Sequence, residues 1–326
     1  MDQKRFSKKL ILLASLGAML LFGLWAWSNK WSVHDHWVAK SYVSTRDSSE
    51  VADNLSLTSK GDLVYRASLT EVDNKDSFKE RCPVQAYEEA SVLGCYSARR
   101  IYVLKVDEPR LAGVEEVTAA HELLHAKFER MDSAEKAEVE ELISQLRKNV
   151  KDEEINKLVE NYKKNLGEGE ALDNELFAIY GTQLKDVGPG LEKIYADYFR
   201  DRLSIVGKYE SYNSEFQRAQ RAIEAYDVRL ADLKNQKDNL EKELEQLDSE
   251  LSTEKSKLNQ LQFGDSAEEY QKAANAYNKK VGIFNAKVNE IREIISEYNA
   301  LVEKRNSEAL SAKSLADKLN ANVEER

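Results

Sequence analysis

The sequence is poor in the residues that punctuate a chain. Among 326 residues there are 3 Pro and 13 Gly, and all three Pro precede residue 190. An all-β sandwich needs many turns, so this scarcity excludes it and favours long helices. Two Cys exclude a disulfide-framework miniprotein and a Cys-rich zinc module. Basic residues are outnumbered, 48 against 58 acidic, and the resulting net charge of −10 argues against a nucleic-acid partner. His is rarer still, with four in the whole chain. The length exceeds one small domain and is compatible with two.

One long apolar run is present, Leu10 to Trp27, without a charge inside it. Eighteen residues of helix span roughly 27 Å, close to one hydrocarbon core. Lys4, Arg5, Lys8 and Lys9 precede it, so the positive-inside bias leaves residues 1–9 in the cytoplasm, with 10–28 as a single-pass transmembrane anchor in the cell membrane. The C-terminal domains are then extracytoplasmic. Trp25, Trp27, Trp31 and Trp37 cluster at the outer end, where indole favours the headgroup zone. A cleaved signal peptide is the competing reading, but Trp25-Ala26-Trp27-Ser28 offers no small-x-small cleavage site. Either way the chain is exported, which places Cys82 and Cys95 in an oxidising compartment. A disulfide between them would stabilise by about 3 kcal/mol.

Residues 29–59 are polar, with little periodicity, and read as a juxtamembrane linker; His34 and His36 within it read as solvated side chains. Asp62 to Leu69 has strand-like composition, and Gly94-Cys95-Tyr96 can pair with Ile101 to Leu104 as a hairpin across Ser97 to Arg100. Beyond this small β region only helices are expected: about 111–130, one capped by Asp132 with Glu135, about 152–165, and about 170–180. Pro189 or Gly190 starts the last and longest stretch. From Ile223 to Leu261 apolar residues alternate by three and four, interrupted only by Lys237 and Glu254. The pattern resumes from Tyr277 through Ile291, Ile295 and Tyr298 to Val302, then more weakly to Val323. A sustained 3.5-residue period broken by Phe263-Gly264-Asp265 predicts a long antiparallel coiled-coil hairpin over 203–326.

Chemistry enters at His121-Glu122-Leu123-Leu124-His125. Imidazoles four residues apart on a helix project from one face and can hold one Zn²⁺. Glu122, rotated by about 100°, sits beside the metal as a base for a bound water. An open catalytic site needs a third protein ligand. No His follows His125, so a carboxylate must serve. Glu175, between apolar residues of a short helix, is the best placed; Glu168 and Glu170 sit in a Gly-flanked loop.

With Asn174-Glu175 downstream, this motif resembles the gluzincin class of zinc metallopeptidases. The run from Val92 to Val103, the motif, Asp173 to Leu176 and Gly181-Thr182 also resemble uncharacterised exported bacterial proteins. The resemblance covers about residues 60–200. It implies a zincin-like domain, mainly α in an α+β setting, over 60–202. It implies hydrolysis of a peptide or protein substrate, with His121, His125 and Glu175 on the metal and Glu122 as general base. Gluzincins often place Asp four residues after the ligand Glu; here Ile179 stands there, which leaves Asp173 or Asp186 to orient a His. Tyr180, Tyr195 and Arg200 are the available oxyanion donors, and Ile101 to Leu104 is a strand that substrate could pair with as an edge. A rival function is an inactive metallopeptidase-like domain serving as a coiled-coil scaffold at the cell envelope. The coil is a potential site for a protein partner under either reading.

Overall fold

The computed structural model describes Met19, Gly23, Trp25 and residues 30–82, 93–264 and 266–320. The run expected to form an anchor, and the expected cytoplasmic flank, lie almost wholly outside the described residues. Among these no helix is long and apolar enough to cross a membrane. The chain is mainly helical, and it divides into two compact units.

The first unit runs to Ser214 and takes in the described residues from Ala316. Its elements are α1 (Lys30–Ser41), α2 (Arg46–Asn54), α3 (Ser59–Ala67), β1 (Glu71–Asp73), α4 (Lys75–Arg81), β2 (Gly94–Ser97), β3 (Arg100–Leu104), α5 (Val114–Arg130), α6 (Ser133–Arg147), α7 (Glu153–Leu166), α8 (Glu170–Gln183), α9 (Gly188–Tyr195) and the start of α10 (Arg202–Leu261). The expected α6 cap is present as a full capping box, Asp132 with Glu135. At the centre lies α5, where Ala119, Ala120, Leu123, Leu124 and Ala126 are wholly buried. Each buried Leu contributes about 1.5–3 kcal/mol. The core continues through Leu172, Leu176 and Phe177 of α8, Leu191 and Tyr195 of α9, Ile101 and Val103 of β3, and Val51 of α2.

Two stretches of the first unit differ from expectation. Residues 30–54, read as a linker, form α1 and α2. Their few apolar positions are masked by Ser and Asp, yet Val51 and the adjoining Leu55 enter the core. Residues 62–69, read as a strand, lie largely in α3. There Thr58 Oγ1 accepts from the Gly61 N–H at 3.1 Å, an N-cap that outweighs the β-like composition. Gly61 itself is required by close approach: a Cβ there would lie 2.3 Å from the Tyr198 carbonyl oxygen.

The hairpin of β2 and β3 forms as expected, Gly94 opposite Val103 and Ser97 opposite Arg100. Its two loop residues, Ala98 and Arg99, both have left-handed φ (49° and 65°), which matches the right-handed twist of the strands. The sheet order is β1-β3-β2, with β1 parallel to β3. Ile101 to Leu104 is therefore the central strand and cannot serve as a substrate edge. β1 is three residues, Glu71-Val72-Asp73, two of them acids, too short and too polar for a readable strand pattern. Cys82 and Cys95 are disulfide-bonded, their Cα atoms 6.0 Å apart, and tie the end of α4 to β2.

The stretch opened by Gly188 and Pro189 is not the long helix. It ends at Tyr195, and α10 begins afresh at Arg202. The units divide at Glu215 and not near residue 203, because Ile205 and Val206 are wholly buried in the first. A truncation after Ser204 would remove these core residues.

The second unit, Glu215–Leu315, is the rest of α10 with most of α11 (Ala267–Lys318). Its helices run antiparallel. Asp227 meets Arg305, Arg229 meets Glu297, and further along Glu243 meets Lys287 and Glu250 meets Lys280. Of the two interrupting charges, Glu254 also meets Lys280 across the hairpin, whereas Lys237 bonds Asp238 and Glu241 on its own helix. Ile294 is buried and Ile295 is 43% exposed, the reverse of the expected seam. Both choices satisfy a three-four alternation between Ile291 and Tyr298, so only packing decides between them.

Among the described residues, the most buried ion pair of the first unit joins α1 to the end of α5. Asp35 accepts from Arg130 Nε at 2.9 Å and Nη2 at 3.0 Å, with both side chains at most 6% exposed. Removing one partner strands the other charge. Asp35→Ala is expected to cost about 3–5 kcal/mol in urea unfolding, with much of that recovered by Asp35→Leu combined with Arg130→Met.

Candidate metal centre

His121 and His125 lie one turn apart on the apolar α5, their rings edge to face with centroids 4.7 Å apart. Their Nε2 atoms converge to 3.1 Å. The third member comes from α8, which packs along α5. Glu175 Oε2 is 3.7 Å from His121 Nε2, and Oε1 is 3.7 Å from His125 Nε2. All three ligand atoms lie within 4.8 Å of one another, and among the described residues this is the one group of its kind. A tetrahedral zinc ion with ligands at 2.0–2.1 Å would separate them by about 3.3–3.4 Å, so the observed spacings fit a small tetrahedral cation.

Burial pushes the Glu175 carboxyl up, but the His125 and His121 imidazoles outweigh it and hold the group below the usual carboxylate range. It is thus kept ionised, as a ligand must be. His121 and Glu175 keep 19% and 23% of their side-chain surface. The cluster is therefore open to solvent on one side.

His125 is oriented by Asn174. Its Nδ1–H donates to Asn174 Oδ1 at 3.0 Å, which leaves the Nε2 lone pair for a cation. Asp173 and Asp186, the expected orienting groups, do other things. Asp173 is raised to about 6 by burial and by Glu140, Glu168 and Glu170 around it. Asp186 accepts from the Gly188 N–H. Asn174 had a readable signal, being the polar neighbour of a ligand on an apolar helix. Its reach to His125 depends on how α8 crosses α5.

Glu168 pairs with Arg147 and Lys163, and Glu170 with Lys136, so the alternative third ligands are engaged elsewhere. His34 pairs with Asp35 and His36 with the Ser32 carbonyl, on the helical turns of α1. Of the suggested oxyanion donors, Tyr195 is wholly buried and donates to the Phe177 carbonyl at 2.7 Å. The Tyr180 hydroxyl is buried without a hydrogen-bond partner among the described residues. Among the described residues no hydrogen bond or ion pair joins Tyr180, Tyr195 or Arg200 to the cluster.

Glu122 is buried on α5 and packs against β2 at Gly94. A Cβ on Gly94 would lie 2.5 Å from Thr118 Cγ2 and 2.9 Å from Glu122 Oε1. This close approach explains a glycine in the strand. It also puts the disulfide, at Cys95, one residue from the point where β2 sets the Glu122 carboxylate.

The C-terminus of α8 is fixed by Arg202, which is 3% exposed. Its guanidinium donates to the carbonyls of Gly181 (3.2 Å), Leu184 (2.6 Å) and Lys185 (2.7 Å), and pairs with Glu192. A cation that satisfies the last carbonyls of a helix stabilises that end. The helix that supplies Glu175 is thus held by the first residue of α10.

No protein-family model, curated protein or solved structure matches this chain.

Glu175→Ala is expected to abolish stoichiometric metal binding in a chelator-competition assay. Asn174→Ala should weaken it by about 10–100-fold while leaving the circular dichroism spectrum unchanged.

Proposed function

We propose that the chain is a membrane-anchored, extracytoplasmic zinc metallopeptidase of gluzincin type, with a zincin-like domain followed by the helical hairpin. The observation that carries this reading is the convergence of His121, His125 and Glu175, with Asn174 behind His125 and Glu122 next in the chain to His121. Two nitrogens and one carboxylate, with one side open, form the donor set of a hydrolytic zinc site. The sequence features that favour export and anchoring place such an enzyme outside the membrane.

A bound zinc ion would acidify a water and polarise the scissile carbonyl. The protein's own work is then positional. Glu175 and the two imidazoles hold their donor atoms together before any substrate arrives. Asn174 keeps His125 in the required tautomer. Glu122, held in place against Gly94, takes the proton from the attacking water and hands it to the departing amine.

Substrate pairing belongs to β2 on this reading, because β3 is flanked by β1 and β2. Among the described residues β2 is a sheet edge, and it lies against α5 beside Glu122. An extended peptide added to that edge would run past the general base.

Glu122→Gln is expected to retain one zinc per chain and to lose at least 100-fold in kcat against a casein-type substrate. Retained activity would overturn the assignment of the base. Zinc binding without hydrolysis in the unaltered chain would favour the scaffold reading. Gly94→Ala tests the setting of Glu122 separately: zinc should still bind, with kcat falling at least tenfold as the new methyl group displaces the carboxylate.

A further inference from the structure

We propose that the outward face of α1 lies on an anionic lipid surface, so that the metal-bearing unit is docked on the bilayer rather than tethered above it. This rests on the anchored reading and goes beyond it, because an anchor alone leaves the orientation of the unit undefined.

The helix has two unlike faces. Inward, Asp35 is paired with Arg130, Ala39 is buried, and the Ala39 carbonyl accepts from Arg66 at 3.0 Å. Trp31 packs against guanidinium groups, with Arg99 at 4.8 Å and Arg130 at 5.0 Å from its ring. Outward, Val33 is 48% exposed and Trp37 76%, and Val43 just past the helix is 86% exposed. Lys30 and Lys40 are exposed on that same side, since positions 30, 33, 37 and 40 follow a three-four-three spacing. Of the two indoles in α1, only Trp37 therefore faces away from the protein.

An exposed Trp beside exposed valines, flanked by lysines, is the composition of a helix lying in the headgroup layer. Indole settles there, and lysine stems lie along apolar surface while their ammonium groups meet lipid phosphates. Lipid is favoured as the occupant by the chain itself. The apolar run ends at Trp27, three residues before α1 begins, so α1 is held within about 10 Å of where that run leaves the bilayer.

The inner face carries the consequence. The buried Asp35–Arg130 pair prevents α1 from rolling on the unit, so whatever orients α1 also orients α5. His121 lies about 13 Å along α5 from Arg130. A docked α1 would thus hold the metal centre at a constant attitude to the membrane.

The test uses the full-length chain reconstituted into phosphatidylcholine–phosphatidylglycerol vesicles with brominated acyl chains. Flotation is measured first, and then fluorescence of the chain against Trp37→Phe, the difference reporting Trp37. The chain should float, with the Trp37 signal blue-shifted, quenched by brominated lipid and insensitive to aqueous iodide. Quenching should weaken in purely zwitterionic vesicles. A floating chain whose Trp37 is red-shifted and open to iodide would overturn the docking and leave the anchor intact. Protection from both quenchers would assign the face to a protein contact and equally overturn it. Equal quenching in both lipid mixtures would overturn the requirement for anionic lipid. A chain that fails to float would overturn the anchor, and the docked face with it.

Discussion

Two imidazoles and a carboxylate are held between helices whose other inward residues are mostly hydrocarbon, and much of the first unit is arranged around that constraint. Polar groups in such a setting must be paired, because an unpaired one costs more than its hydrogen bond would return. Here each has a partner: His121 and His125 converge on Glu175, and His125 turns its other nitrogen to Asn174. A cation would complete the set, and the nearly all-apolar core of α5 and α8 keeps the geometry rigid.

The supports of the site come from distant parts of the chain. Gly94 on β2 gives Glu122 its room, Arg202 closes the end of α8, and Asp35 on α1 braces the end of α5. The disulfide fastens β2 beside Gly94. These contacts couple α1 and the helix that enters the hairpin to the two helices bearing the ligands. On the proposed function, precision at the metal centre depends on elements at both ends of the unit.

The hairpin is simpler. Its ion pairs place acidic groups of α10 against basic groups of α11 in several places, and this complementarity fixes the antiparallel register. Arg229 with Glu297 reverses the sign in one pair, which further distinguishes one register from its neighbours.

Features with a local physical cause were legible in the sequence. The spacing of His121 and His125 puts both on one helical face whatever surrounds them. The capping box at Asp132 and the two-residue turn at Ala98-Arg99 depend only on neighbours in the chain, and the three-four alternation dictated long helices. Glu175 was legible because a carboxylate amid Leu, Phe and Ala needs a partner. Other features depend on contacts between segments far apart, and only the tertiary structure decided them. The parallel β1–β3 pairing took the edge away from Ile101 to Leu104, and the packing of Thr58 to Gly61 beside Tyr198 made a helix of a strand-like stretch. Asn174 rather than Asp173 met His125 because of how α8 lies across α5. Asp35 and Arg130, 95 residues apart, found each other only because folding brought α1 against the end of α5 and buried both charges together.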